Sequence, residues 1–456
     1  MQLTDLNRAR DIGANCLLIE LGPFRFVFDC GMHPKKAGAP ALPNLALLED
    51  DSLDFIIITH SHLDHIGGLP VLARYQPSAQ IFVTPPTQVL LPRMLRNSCG
   101  VMLRQREELG LPELPLFTYG EVERLEGRLR AIPFAKPHSL VKKGHRLELT
   151  FFPAGHVAGA AGLRVVYGKE RIFFTGDVLF ADQLTLTGAR FPEEEFDTVV
   201  TETTRGARAR APGTTRDSEA ARFIEAIGLT LAGGGSALVP VFALGRMQEV
   251  LALLHAARRA RKLPESLIFA SGLGLDLVNH FDTLGRSNPT IRFRRRIMQE
   301  LNVQPLRQKL GPGREPGQRG LYVLSSGMMV ENTPSYAFAA GLLAQPRNAI
   351  YFAGYCDPET PGGKLLATKP GEKFTFNALP YVAPVKARVE RFDLSAHAER
   401  EELLAYAQAR HPRTVVITHG DPPARAWFAG ELARPPNAPR VIDPVPGEAI
   451  EVGLGC

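Results

Sequence analysis

The sequence predicts an α/β protein of two domains, one of them split along the chain by the other. Three observations predict it. At 456 residues the chain is too long for one ordinary hydrophobic core. Short apolar runs bounded by turn residues, the pattern of strands, fill the first 200 residues and return near residue 378. Between them, from about residue 203, buried strands alternate with amphipathic helices, as in a smaller α/β unit with a parallel sheet. The expected boundaries are 1–202 and 377–456 for the split domain and 203–376 for the insertion.

In chain order, 16–21 and 24–28 flank Gly22-Pro23 and form a hairpin, and 54–59 is a continuous apolar run of the kind covered on both faces. A helix is expected over 69–75, and strands over 147–153, 163–167, 172–175 and 198–201. In the insertion, 218–231 and 247–261 read as amphipathic helices, 237–241 and 267–269 as buried strands, and 310–319 as a Gly/Pro-rich loop. Strands at 381–389 and 415–418 and a helix at 399–408 complete the split domain.

Composition narrows the class. A chain 45% apolar and 22% charged, with 42 Gly and 37 Pro, is a globular protein rich in turns. It has no apolar run of about 18 residues, which argues against a membrane span. The N-terminal 21 residues lack a basic segment followed by an apolar one, so no secretion signal is expected. The five cysteines (Cys16, Cys30, Cys99, Cys356, Cys456) are odd in number and lack any CxxC pairing. They read as reduced, buried thiols of a cytoplasmic protein, so a metal would be held by His and carboxylates. Residues 203–376 carry 23 Lys and Arg against 13 Asp and Glu, while the remainder carries 30 against 34. A basic block beside an acidic one fits one region for an anion and another for metal, although surface Arg also serves solubility.

The run His60-Ser61-His62-Leu63-Asp64-His65 follows the apolar strand directly. Residues two apart in an extended segment share a side, so His60 and His62 aim into one pocket, and Asp64 and His65 follow where the chain turns into a helix. Zinc accepts His nitrogen and carboxylate oxygen, and a pair of ions about 3.5–4 Å apart needs roughly six or seven ligands. Three further positions fit: His156, Asp177, whose carboxylate can bridge two ions, and His419 each follow an apolar strand. A lone His after a strand is usually a capping or surface residue, whereas three His and an Asp within six residues is a metal pattern. His33, His138, His145, His255, His280 and His411 sit in turns or helices and receive no role.

Together with Asp29, His156 and Asp177, this run resembles the successive motifs of the metallo-β-lactamase superfamily. The segments 202–206, 240–246, 326–329, 353–355, 395–398 and 418–420 resemble its β-CASP branch of nucleic-acid nucleases. The chain is most similar to RNA-processing members of the kind found in the mRNA cleavage and polyadenylation factor and its bacterial relatives. The resemblance implies an αββα sandwich with an inserted smaller α/β (β-CASP) domain forming one wall of a cleft. It implies one zinc at His60, His62 and His156, a second at Asp64, His65 and His419, and Asp177 bridging them. Asp64, Asp177, Glu202 and His397 would form the catalytic group. In it, Glu202 would orient a ligand histidine through its free ring N–H, and His397 would assist at the scissile phosphate. The implied activity is a zinc-dependent ribonuclease, endo- or 5′-exo-acting, whose metal-bridging hydroxide attacks phosphorus in line. Gly245, Arg246, Ser326 and Gly327 are candidate substrate contacts, although a tight turn explains either glycine equally well.

Within the branch, the position of His419 is His in RNA nucleases and typically Val in DNA-repair members, which favours RNA, single-stranded, as partner. A homodimer is an allowed assembly, and no membrane partner is expected. The chain departs from the branch pattern at Arg205 (usually Tyr), Glu399 (usually Asp), Asp421 (usually Glu) and in segment 356–362. The resemblance covers the catalytic core, without the KH or added C-terminal domains of some members. Three alternatives stay open: a DNA-directed nuclease of the same branch, a small-molecule metallohydrolase, and a non-catalytic RNA-binding scaffold. The long insert and His397 argue against the second, and the complete ligand set against the third.

Overall fold

The computed structural model describes residues 1–453, which leaves Cys456 outside the described residues. The chain divides into two compact units. The larger comprises Met1–Asp182, Gly188–Ala209 and the chain from His397 onward, and the smaller comprises Gln183–Thr187 and Arg210–Ala396.

The larger unit is built on two seven-stranded sheets. The first runs in the order Ala449–Glu451, Gln2–Asp5, Leu17–Leu21, Phe24–Phe28, Phe55–Ile57, Gln80–Val83, Leu129–Ala131. The second runs Arg440–Ile442, Thr414–Thr418, Thr198–Glu202, Glu170–Phe174, Ala161–Tyr167, His145–Pro153, His138–Lys142. Strand periodicity explains how they pack. Leu147, Leu149 and Phe151 alternate along one strand and all enter the core shared by the two sheets. Phe28 of the first sheet stacks on Phe174 of the second at 4.6 Å between ring centroids. Truncating a fully buried aromatic such as Phe151 to Ala would cost about 3–5 kcal/mol. On the outside, helices Arg400–Ala409 and Pro422–Leu432 place Leu403, Phe428 and Leu432 against Val415 and Ile417 of the second sheet. Helix Pro85–Leu109 packs beside strand Leu129–Ala131 and helix Tyr119–Arg128. This is the expected αββα sandwich. Each sheet changes from antiparallel to parallel pairing midway, and the parallel strands bring their C-terminal ends to one edge.

The smaller unit has a six-stranded parallel sheet in the order Val303–Pro305, Ile268–Ala270, Leu321–Leu324, Ala237–Pro240, Ala349–Ala353, Arg388–Phe392. The expected boundary at 376 is displaced for a specific reason. The single strand expected over 381–389 is two strands, Tyr381–Pro384 and Arg388–Phe392. The first pairs with Lys373–Phe376 in a separate hairpin, and the second adds to the edge of the inserted sheet beside Ala349–Ala353. Gln183–Thr187 also belongs to the smaller unit, because the buried Glu249 carboxylate accepts hydrogen bonds from the amides of Leu184 and Thr185, both at 3.0 Å. Among the described residues no helix is long and apolar enough to cross a membrane.

Candidate metal centre

Each residue of the expected ligand set sits just past the C-terminal end of a strand in the larger unit. Phe55–Ile57 leads to His60, His145–Pro153 to His156, Glu170–Phe174 to Asp177 and Thr414–Thr418 to His419. His62 precedes the short helix Leu63–Ile66, which carries Asp64 and His65. The structure brings all seven together. His60, His62 and His156 form one group whose donor atoms lie within 4.8 Å of one another, and Asp64, His65 and His419 form another. Asp177 adjoins both. Its Oδ2 lies 3.8 Å from His60 Nε2, 3.6 Å from His156 Nε2 and 3.4 Å from His65 Nε2, and its Oδ1 lies 3.3 Å from His419 Nδ1.

A second layer of residues sets which ring nitrogen faces inward. Buried Asp29 accepts from the Thr59 amide at 2.8 Å, from the Thr59 hydroxyl at 2.9 Å and from His65 Nδ1 at 2.7 Å. With its proton given to Asp29, the Thr59 hydroxyl accepts from His60 Nδ1 at 3.0 Å. Both histidines therefore engage these supports through Nδ1 and turn Nε2 toward the centre. Thr204 Oγ1 lies 3.0 Å from His419 Nδ1. Asn15, Thr59 and Thr204 have no role in the sequence reading, although Thr59 and Thr204 adjoin motif residues and could have been suspected on that ground.

These residues fit a metal ion. Four ligands at about 2.0–2.1 Å around a tetrahedral zinc stand about 3.3 Å apart. His156 Nε2 and His62 Nδ1 are 3.0 Å apart, and His65 Nε2 and His419 Nε2 are 3.3 Å apart. His60 Nε2 is buried without a hydrogen-bond partner, an arrangement that a cation relieves. Burial and the carboxylates set the charge states of these groups. Burial, with His65 beside it, holds the His60 imidazole well below its usual pKa. Burial works against charge on His65, but Asp177, Asp29 and Asp64 outweigh it and hold that imidazole well above the usual range. Asp64 is half-buried and Asp177 buried, yet the neighbouring imidazoles hold both carboxyls below the usual carboxylate range.

Glu202 ends strand Thr198–Glu202 and accepts from the Val178 amide at 2.8 Å. The imidazole it holds is that of His397, whose Nδ1 lies 2.9 and 3.1 Å from the two carboxylate oxygens. This corrects the expectation that Glu202 orients one of the ligand histidines: its imidazole partner is His397, although Glu202 also lies within 4.8 Å of Asp177 and His419. His397 Nε2 is 4.0 Å from Asp177 Oδ2, and its ring lies 4.5 Å from that of His156.

The four expected substrate contacts lie in the smaller unit, past the ends of the paired strands Ala237–Pro240 and Leu321–Leu324. Gly245 has φ 89° and starts helix Arg246–Arg259, and a Cβ on Gly327 would come within 2.9 Å of the Phe242 amide, so local geometry accounts for both glycines. The Ser326 hydroxyl accepts from the Val330 amide at 2.8 Å. Arg246 departs from expectation. It is buried and donates to the Leu394 carbonyl at 2.7 Å and to the Gln183 side chain, and burial lowers its pKa to about 9. Both terminal nitrogens of its guanidinium are thus engaged inside the unit. Two of the departures from the branch pattern, Arg205 and Glu399, pair with each other at 2.9 Å.

Comparisons with known proteins follow the same outline. A family model described as the metallo-beta-lactamase superfamily matches residues 9–272. A second, described as a Zn-dependent metallo-hydrolase RNA specificity domain, matches residues 382–434, which include His397 and His419. The chain is 26% identical over 435 residues to Integrator complex subunit 11 of Gallus gallus, covering 92% of this chain and 69% of that protein. It is 26% identical over 459 residues to cleavage and polyadenylation specificity factor subunit 3-II of Arabidopsis thaliana, covering 98% and 71%. It is 25% identical over 425 residues to cleavage and polyadenylation specificity factor 73 of Drosophila melanogaster, covering 92% and 60%. A crystal structure of a protein of unknown function from Enterococcus faecalis V583 shares the fold, with a TM-score of 0.54, 12% identity, and coverage of 98% of this chain and 99% of that one.

Proposed function

The chain belongs to the metallo-β-lactamase superfamily, and on that premise we propose that it is a zinc-dependent ribonuclease acting on single-stranded RNA. The observation that carries this reading is His397, an imidazole held by a carboxylate at the edge of the ligand set. His60, His62 and His156 would hold one zinc ion and Asp64, His65 and His419 a second, with Asp177 shared between them. When bound, zinc supplies Lewis acidity toward phosphoryl oxygens and brings the pKa of water near neutrality.

The chain's own residues do the rest. Asp29, directly and through Thr59, accepts from the outer Nδ1 nitrogens of His65 and His60 and so fixes their Nε2 atoms inward. Glu202 accepts the Nδ1 proton of His397, which leaves Nε2 directed toward Asp177. Burial works against a charged imidazole there, but Glu202 and Asp177 outweigh it and raise its pKa above the usual range. A protonated Nε2 near neutral pH can give its proton to the departing oxygen of a phosphodiester. Two observations support RNA as the polymer: the match of residues 382–434 to an RNA specificity domain, and relatives whose names include cleavage and polyadenylation. The four described cysteines are buried and free, in keeping with a cytoplasmic location.

The test is metal content by mass spectrometry together with cleavage of matched, end-labelled RNA and DNA strands, with His397→Ala alongside. We expect two zinc equivalents, cleaved RNA, and loss of cleavage in the variant at full zinc content. Intact RNA beside cleaved DNA would shift the substrate, and intact nucleic acid beside hydrolysed esters would overturn the reading.

A further inference from the structure

We propose that Arg205 and Glu399 are positioning residues for His397, and that their ion pair keeps its imidazole engaged with Glu202. The inference rests on the reading of His397 as the proton donor. It starts from two short stretches of the larger unit, 202–206 and 397–400, which touch at three points. At the first, Glu202 accepts from His397. At the second, Arg205 Nη2 stands 2.9 Å from Glu399 Oε2, with the two side chains only 12% and 19% exposed. At the third, Arg400 Nη1 donates to the Gly206 carbonyl at 3.1 Å, while its guanidinium lies 4.4 Å from the ring centre of Trp427. The two arginines point in opposite directions along the chain, one from each stretch, so each stretch holds the other.

Arg205 lies three residues beyond Glu202, and Glu399 lies two beyond His397. Rotation or sliding of one stretch against the other would open the His397–Glu202 bonds, and the charged pair resists it. Gly206 lets its own stretch lie close against helix Pro422–Leu432, since a Cβ there would come 2.4 Å from the Ala424 carbonyl oxygen. With little water access the pair is less screened than a surface ion pair, so its loss is felt at the neighbouring bond. The other anchor of this segment, Ala398 N to Val178 O at 2.6 Å, fixes the backbone but leaves the imidazole free to turn.

The experiment is a double-mutant cycle with Arg205→Gln, Glu399→Gln and the pair combined, each loaded with zinc and assayed on labelled RNA. Each single change is expected to lower kcat about 10- to 100-fold with KM within about twofold, as a displaced catalytic group does. The double variant is expected to fall no further than the singles. Arg205→Lys, which keeps the charge, is expected to recover part of the loss. Zinc content and melting temperature should stay at the parent's values. The downfield imidazole N–H proton resonance that disappears in His397→Ala should shift or broaden in the singles, a readout independent of turnover.

Singles within twofold of the parent in kcat would overturn the proposal, as would a fall in kcat that tracks lost zinc or lost stability. An His397→Ala variant as active as the parent would instead remove the reading on which the proposal rests, and the unchanged parent activity makes the two failures distinguishable.

Discussion

The two halves of the metal centre offer a cation different surroundings. His60, His62 and His156 present three imidazoles and no carboxylate of their own. Asp64, His65 and His419 include a carboxylate, and His65 leans directly on the buried Asp29. The first half contains no carboxylate and reaches Asp29 only through the Thr59 hydroxyl, whereas the second contains Asp64 and reaches Asp29 in one bond. The difference teaches that one constellation can contain two kinds of ligand field, joined at Asp177, and that the support behind a ligand is part of its chemistry.

The sharpest way to break the comparison is to remove what the halves share. Asp177→Ala is expected to reduce activity at least about 1,000-fold, as loss of a shared ligand in a two-metal site does, and to leave at most one zinc equivalent by mass spectrometry. Two equivalents in that variant would mean that the halves are independent. Next in size, His397→Ala is expected to lower kcat by about 100- to 10,000-fold with both equivalents retained, because it removes a proton donor and no ligand. Asp29→Asn, smaller again, is expected to weaken zinc binding about 10- to 100-fold, first at the half that contains His65. Competition with a chromophoric chelator would show this as one tight and one weakened site. Equal weakening of both would mean that Thr59 transmits the effect of Asp29 in full.

The smallest effect concerns pH in chelator-treated protein. The His60 pKa is lowered in the fold, so the unfolded chain takes up the proton first and stability falls as pH drops below about 6.5. The His65 pKa is raised, so its contribution is complete below about 6.5 and is lost as pH climbs toward its folded value. Melting curves between pH 5 and 9 should therefore show His60→Ala flattening the acid side and His65→Ala flattening the alkaline side. The same response in both variants would erase the distinction.

Much of this was legible in the sequence. The seven candidate ligand positions follow apolar strands, and a strand covered on both faces writes itself as a continuous apolar run, so the strand ends could be read directly. Supports were harder to see. Thr59 adjoins His60, but nothing local names Asp29 as the partner of Thr59 or of Asn15, because those contacts exist only once separate strands are paired. The partner of Glu202 was misassigned for the same reason, since 195 residues separate it from His397. The strand Arg388–Phe392 is recognisable as a strand, but its sequence does not say which sheet edge it joins. Helix Pro85–Leu109 escaped because Pro92 interrupts its interior, where proline ordinarily stops a helix. Arg246 misled because a guanidinium directly after a glycine at a helix start resembles a phosphate contact until its burial is known.

The pairing of Thr198–Glu202 with Thr414–Thr418 has a consequence for how the molecule comes into being. These neighbouring parallel strands lie on either side of the whole inserted unit, and the ligand His419 follows the second of them. On the ribosome, six of the seven ligand residues are made before the insertion begins, and the last comes some two hundred residues later. A nascent chain therefore carries a nearly finished metal site long before it can close it. If the site binds two ions as proposed, the residues of the three-histidine group are all made before the insertion, whereas the group containing His419 is completed only after it.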